Sequence, residues 1–184
     1  MVNKTLIKLI IVGILLLVAT TSCSPLEEAT ITEAQTTEDG SKTIEKIGMT
    51  VTWKVMDTNI AFTVTAPTTG WVAIGFDPTS VMKDANIIMG YVSEDTVTVT
   101  DEYGNSSFTH QADTLGEGTD NLSEKSGSES DGSTTIAFTM PLNSGDSRDK
   151  ALVVGQNHTF LLAYGQTDDV TEKHQSVGIV ITTL

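Results

Sequence analysis

Short alternating runs of residues, separated by turn residues, constrain the fold of this chain more than any other feature of its sequence. Apolar and polar residues alternate through 50–56 and 59–66, and Asp57-Thr58 between them is typical of a hairpin turn. No convincing apolar period of 3.6 residues indicates a helix. Similar short runs predict further strands at 71–76, 85–92, 96–100, 133–140, 159–165 and 177–183, with one more near Leu122.

About nine short strands with frequent turns predict an all-β fold, an antiparallel immunoglobulin-like β-sandwich of about nine or more strands. Threonine and valine are frequent, which favours half-buried strands. The stretch 101–131 is rich in Gly, Ser, Asp and Glu and is expected to be mostly loop. We place the sandwich domain at 44–184.

The first 22 residues have the features of an export signal. Lys4 and Lys8 give a basic start, and the apolar run 9–19 is shorter than the roughly 20 residues that span a bilayer. Three small residues then precede Cys23. This arrangement resembles a bacterial lipoprotein signal at 1–22, with Cys23 lipidated as the first mature residue.

An ordinary secretory signal cleaved near the same place is the alternative, since Thr20 stands where lipoprotein signals usually have leucine. In both cases the domain is exported. The polar stretch 23–43 is predicted to be a flexible tether. If Cys23 is lipidated, the tether joins the domain to the membrane, at the cell surface or on the periplasmic side.

Composition excludes several classes of function. The chain has 24 acidic and only 10 basic residues, for a formal net charge of −14. It therefore has too few cations to cover a phosphate backbone, and we expect no nucleic-acid partner. A positively charged partner protein, or simple solubility, fits this charge better.

The sequence also lacks an obvious catalytic set. It has no nucleophile-elbow, phosphate-loop or dinucleotide-binding glycine pattern. Its single cysteine lies in the leader region, which excludes a disulfide and a zinc–thiolate site from the domain. His110, His158 and His174 are too far apart in sequence to form a local metal motif. We predict no enzyme activity, a solvated surface for the carboxylates, and surface positions for His110 and His158, with His158 facing solvent.

Met82 and His174 each stand in a polar stretch that precedes a predicted strand. Met82 follows Ser80-Val81 and precedes Lys83-Asp84, and His174 lies before the last strand. Taken singly, a methionine more often fills a gap in a core. Together, a thioether and an imidazole on two loops are a candidate pair of axial haem ligands. Without a Cys-x-x-Cys-His motif, such a haem must be non-covalent haem b.

An ordered set of motifs runs along the chain. They are Gly70-Trp71, Gly75-Phe76, Met82, Asp84-Ala85-Asn86-Ile87-Ile88, Leu142-Asn143-Ser144-Gly145-Asp146 and Leu162-Ala163-Tyr164-Gly165, followed by His174. This set resembles the haem-binding type of the DOMON domain family, which includes the cytochrome domain of cellobiose dehydrogenase. The resemblance covers about 44–184.

The resemblance implies a cofactor, two ligands and a function. A Met and a His from two loops ligate the iron in haem-binding members, and these carry over to Met82 and His174. The implied function is single-electron transfer to or from a redox partner protein, without catalysis by the domain itself. Met89 is a fallback ligand. Apolar residues expected around the haem or in the core are Trp71, Phe76, Ile87, Met89, Tyr91, Phe138 and Tyr164.

One departure from the family pattern and two alternatives remain. Many relatives have a basic residue where Met140 stands, so a haem propionate would here need Lys83, Lys173 or solvent. The main alternative is a non-haem module that binds carbohydrate or another ligand, with Trp71 or Tyr103 stacking on a sugar. A third reading is a structural, adhesin-like lipoprotein.

Overall fold

The computed structural model describes residues 31–184, so the predicted signal at 1–22 and Cys23 lie outside the described residues. This part of the chain forms twelve strands and one short 3-10 turn, Asp113–Leu115. It contains no helix that is long and apolar enough to cross a membrane. The strands are β1 Gln35–Thr36, β2 Lys42–Lys46, β3 Met49–Met56, β4 Asn59–Ala66, β5 Val72–Phe76, β6 Asn86–Ser93, β7 Thr96–Tyr103, β8 Gln111–Ala112, β9 Ser123–Ser130, β10 Ser133–Pro141, β11 Asn157–Tyr164 and β12 Ser176–Thr183.

These strands build two six-stranded sheets in which all pairings are antiparallel. The first sheet has the order β1-β2-β3-β4-β10-β9, and the second has β12-β11-β5-β6-β7-β8. The predicted all-β sandwich is confirmed. The hairpin predicted around Asp57 is the β3–β4 pair, and Asp57 turns the chain with φ of +56°.

The core between the sheets is an aromatic cluster. Trp53 and Phe62 reach in from the first sheet and pack against Phe160 and Phe76 of the second, and Phe138 stacks on Phe62. Phe76 and Phe160 meet edge to face, with ring centroids 5.2 Å apart and planes at 89°. Because side chains alternate along a strand, each inward ring implies that its two neighbours in sequence point outward.

The outward positions of the second sheet are unusual because its central strands are buried on both faces. All five residues of β5 and the first five of β6 are buried. The outward-facing Ala73, Ile87 and Met89 are only 6%, 6% and 2% exposed. An antiparallel sheet of a sandwich commonly leaves its outer face in water. The outer face of this sheet therefore contributes to a second apolar cluster, separate from the main core.

Two elements differ from the sequence prediction. β9 lies in a segment expected to be mostly loop, and most of its side chains are exposed because it is an edge strand that pairs only with β10. Its polar sequence therefore has no alternating pattern to reveal it. Part of the predicted tether also belongs to the first sheet, because its strand β1 pairs with β2. In the turn between these two strands, Ser41 N donates to Asp39 Oδ1.

The prediction that His158 faces solvent is wrong. His158 belongs to β11, whose side chains alternate between the two faces of the sheet. It points inward on the same face as Phe160, whereas Leu161 and Ala163 point outward, and it is only 5% exposed. Its Nδ1 lies 2.6 Å from Asp77 Oδ2, and its Nε2 accepts a hydrogen bond from Val153 N at 3.0 Å. His158 thus holds two loops to the strand and has a structural role.

Candidate functional site

A cavity of about 470 Å³ lies on the outer face of the second sheet. Its volume falls within the range of roughly 300–1,000 Å³ that is usual for small-molecule sites. Its walls come from the loops 77–85, 104–110 and 165–175, which join β5 to β6, β7 to β8 and β11 to β12. The floor consists of outward-facing or strand-flanking residues, namely Trp71, Ala73, Gly75, Ile87, Met89, Leu161 and Ala163.

The floor is apolar, and the residues at its centre are small. Ala73 lies opposite Ala163 on one side and Met89 on the other, and Gly75 lies opposite Leu161. Small side chains at the centre leave open space above the strands that larger ones would fill. The surrounding aliphatic and thioether groups make the floor apolar, while His110, Glu172 and Lys173 add polar groups to the walls, which suits a largely apolar ligand with a few polar groups.

Met82 lies on the wall formed by the loop between β5 and β6, and it is half-buried. Ala85 N donates to Met82 O at 3.1 Å, and Asp84 N donates to Gly104 O at 2.7 Å. Gly104 packs so closely behind this loop that a Cβ built on it would lie 1.7 Å from Met82 O. Val81 and Asp84 adopt left-handed backbone angles that complete the turn. The loop is therefore held by backbone contacts, with Met82 facing the cavity.

His174 lies on the wall formed by the loop between β11 and β12. Gln175 N donates to Tyr164 O at 2.8 Å, which fixes the residue beside it. Within the part of the chain that the structure describes, His110 and His158 each contact a carboxylate, whereas His174 makes no side-chain hydrogen bond. A half-buried imidazole without a partner is available to a ligand in the cavity.

Trp71 closes one end of the floor and is only 3% exposed. Gly165 packs against its indole, since a Cβ on Gly165 would lie 2.2 Å from Trp71 Nε1. Gly165 N also donates to Trp71 O at 2.9 Å. This contact explains why a glycine follows Tyr164 at the end of β11. The indole N–H has no hydrogen-bond partner among the described residues.

The structure adds wall residues that were not predicted to bind a cofactor, among them His110, which was predicted to lie on the surface. His110 lines the cavity, and its Nδ1 makes a short contact with Glu102 Oε2. Burial alone would raise the pKa of Glu102, but the hydrogen bond and charge of His110 and the hydroxyl of Thr100 hold that pKa below its ordinary value. Phe108 stands at the cavity mouth, 80% exposed. These residues lie in a polar loop without periodicity, so only the pairing of β7 with β8 reveals their position.

The structure brings four of the six predicted cofactor-binding residues to one cavity: Met82, His174, Trp71 and Met89. Phe76 is not among them, because it occupies an inward position on β5 and packs against Phe160. Tyr91 packs beside the outer apolar cluster without lining the cavity.

The other apolar and basic candidates are also placed. Phe138 and Tyr164 belong to the sandwich core, whereas Ile87 lines the cavity. Met140 is buried in the same core, at 3% exposure, and does not line the cavity. Lys173 lines the cavity and Lys83 does not.

The chemistry of the cavity suits haem b. A thioether and an imidazole are axial ligands of haem in six-coordinate cytochromes, and both occur here on loops around an apolar floor. The cavity lining contains no cysteine, and its one carboxylate comes from Glu172, so it resembles neither a zinc–thiolate nor a calcium site. The described residues therefore fit the cofactor that the sequence analysis expects.

Comparison with known proteins agrees with this fold. The DOMON domain family model matches residues 45–165. Among solved structures, the cytochrome domain of Myriococcum thermophilum cellobiose dehydrogenase is 13% identical with a TM-score of 0.59, and the match covers 82% of this chain and 87% of that chain. The cytochrome b domain of pyranose dehydrogenase from Coprinopsis cinerea is 10% identical with a TM-score of 0.54, covering 72% and 75%. At these identities the two structures show a shared fold, while the family match spans more than half of the chain, and the chain therefore belongs to the DOMON domain family.

Proposed function

We propose that this protein is an exported b-type cytochrome domain that binds one haem through Met82 and His174 and transfers single electrons at the cell surface. The observation that carries this proposal is that the loops of Met82 and His174 line one apolar cavity on the outer face of the second sheet. The cytochrome domains with the same fold support it.

The two ligands determine what the site can do. Bound haem supplies reversible one-electron chemistry at its iron. Met82 and His174 would hold the iron from the two cavity walls, which would leave no position open for dioxygen or a substrate and would favour electron transfer over catalysis. The thioether of Met82 favours the ferrous state and raises the potential, and the apolar floor, by excluding water, acts in the same direction. Lys173, which lines the cavity, would neutralise a haem propionate, a role that the apolar side chain of Met140 cannot fill.

The cavity mouth offers a surface for a redox partner. Exposed apolar side chains surround it, with Val81 at 55%, Phe108 at 80% and Ile179 at 58% exposure. Such a patch is typical of an interaction site, and it would let a partner approach the cofactor closely. The net charge of −14 favours a basic partner through electrostatic steering.

An absorption spectrum of the haem-reconstituted mature chain tests the proposal. We expect the Soret band and the sharp reduced α and β bands of six-coordinate low-spin haem. Met82→Ala should give a high-spin or five-coordinate spectrum, and His174→Ala should lose most of the haem. Met56→Ala, at an exposed position on the first sheet, and His110→Gln, which removes the competing imidazole, are matched controls. Unchanged spectra in both ligand variants would show that other residues are the ligands. The absence of a low-spin spectrum in the wild type would refute the proposal.

The carbohydrate alternative has less structural support. Trp71 is buried, and the guanidinium of Arg148 lies 4.1 Å above the ring of Tyr103. Little of the Trp71 indole is accessible to a sugar, and one face of the Tyr103 ring is covered. Saturable carbohydrate binding by the haem-free protein, together with no haem uptake, would nevertheless favour this alternative.

Lipidation of Cys23 would anchor the domain to the membrane. We expect the wild-type chain in the membrane fraction and Cys23→Ser in the soluble exported fraction. Export without membrane association of the wild type would favour the ordinary secretory signal.

A further inference from the structure

Three aspartates from distant parts of the chain meet inside the domain, away from the haem cavity. Asp101 lies on β7, Asp113 begins the 3-10 turn and Asp149 lies in the loop between β10 and β11. One carboxylate oxygen of each lies within 4.8 Å of the others. Asp101 and Asp113 are only 3% and 1% exposed, so for this cluster the prediction of a solvated acidic surface is wrong.

The carboxylates of this cluster are largely without hydrogen-bond partners. Within residues 31–184, neither oxygen of Asp113 has a partner, and Oδ1 of Asp101 and Oδ1 of Asp149 have none. The other oxygen of Asp101 accepts a hydrogen bond from Asn121 N at 2.9 Å. Buried carboxylates cost folding free energy unless they are paired, protonated or bound to a cation. The unpartnered oxygens of this cluster therefore need either protons or a positive charge among them.

Nearby groups do not supply that charge. Arg148 attracts Asp113, but its guanidinium lies over Tyr103 and forms no salt bridge with the three aspartates. Asp146 and Asp120 add negative charge around the cluster. Burial first, and repulsion between the aspartates second, raise the pKa of Asp101 and the pKa of Asp113 to about 7. In the absence of a cation, protons would have to occupy the cluster.

The backbone encloses the cluster closely. A Cβ built on Gly118 would lie 2.9 Å from Asp113 Cβ and 3.0 Å from Asp113 Oδ2. Thr119 N donates to Asp146 Oδ2 at 2.7 Å, which ties the same segment to the loop that carries Asp149. The segment 118–119 therefore packs against Asp113 and the loop of Asp149, with a glycine where a side chain would collide with Asp113.

We propose that Asp101, Asp113 and Asp149 bind one calcium ion. All three groups are hard oxygen ligands, and the cluster contains no histidine or cysteine. Three carboxylates on separate segments can adjust to the irregular 6–8-fold coordination of Ca²⁺ more easily than to the strict octahedron of Mg²⁺. Carbonyl groups and water complete the coordination.

Calcium would also stabilise one wall of the cavity. Asp101 and Asp113 stand at the two ends of the segment that contains Gly104, Phe108 and His110. A cation bound to both aspartates closes this segment at its base. The calcium site itself does not depend on the proposed function, because it can be tested in haem-free protein.

Calorimetry and thermal melting of the chelator-treated, haem-free mature chain test the proposal with CaCl₂ as the probe. We expect one ion per chain, and a melting temperature about 5–10 °C higher when calcium exceeds its Kd about 100-fold. Asp113→Asn and Asp101→Asn should lose both effects. Asp131→Asn removes the same charge from an exposed hairpin turn and should keep both.

Several results would overturn the proposal. If the wild type showed no calcium binding and no rise in melting temperature, calcium would be excluded. Calcium binding to Asp113→Asn with unchanged affinity would also overturn the proposal. An equal response to MgCl₂ would overturn the choice of calcium. Native mass spectrometry of the wild type counts the bound ions directly, so the proposal stays testable even if a variant does not fold.

Discussion

Gly104→Ala tests whether the position of Met82 depends on the backbone packed behind its loop. Gly104 does not have a left-handed φ, so alanine suits its backbone conformation and the effect is steric. The new Cβ would lie 1.7 Å from Met82 O. Since real Cβ atoms stay at least 3.0 Å from such an atom, the two segments must separate by about 1.3 Å.

This shift is large compared with the tolerance of a ligand site. A binding group must be held within about 0.5 Å of its productive position, so the displaced thioether would no longer reach the iron. The separation also strains the bonds from Asp84 N to Gly104 O and from Gly104 N to Ala85 O. We expect a loss of about 1–3 kcal/mol in the free energy of unfolding, which lowers the melting temperature by about 2–12 °C.

The assay combines the melting temperature of the haem-free protein with the spectrum and midpoint potential of the haem-loaded protein. Gly104→Ala should fold, melt at a lower temperature, show high-spin haem and have a lower potential. Gly116→Ala is the matched control, because the nearest atoms would lie 3.4 Å from the new Cβ, which is an ordinary contact distance. A folded Gly104→Ala protein with an unchanged low-spin spectrum and potential would refute the reasoning.

Three further substitutions test the core, the cavity and the acidic cluster. Phe160→Ala removes a ring that is fully buried at the centre of the aromatic cluster, and urea unfolding should show a loss of about 3–5 kcal/mol. Ala163→Phe places a ring in the cavity and should prevent haem uptake while circular dichroism stays native, whereas Thr63→Phe on the outer face of the first sheet should bind haem normally. Asp113→Asn removes a buried negative charge that repels its neighbours, so in EDTA the variant should melt at a higher temperature than the wild type. An equal or lower melting temperature would contradict that account.

Strands with one buried face and one solvent-exposed face were predictable from the sequence. β3, β4 and β10 alternate clearly, because one face meets the core and the other meets solvent. β9 was not predictable beyond a short strand near Leu122, because an exposed edge strand buries few side chains. His158 was misjudged because the polar residues before it suggested a turn, while the strand begins at Asn157 and places the imidazole inside.

The sequence by itself determined the class of fold, and it predicted a pair of haem ligands and a non-covalent haem. These follow from local patterns, from a chain-long set of motifs and from the position of a single cysteine. Only the tertiary structure decided which residues share a site. Strand pairing places the loops of Met82 and His174, 92 positions apart in sequence numbering, around one cavity and turns Phe76 away from it. It also brings Asp101, Asp113 and Asp149 together in the interior, which no local pattern shows because their neighbours in space are remote along the chain.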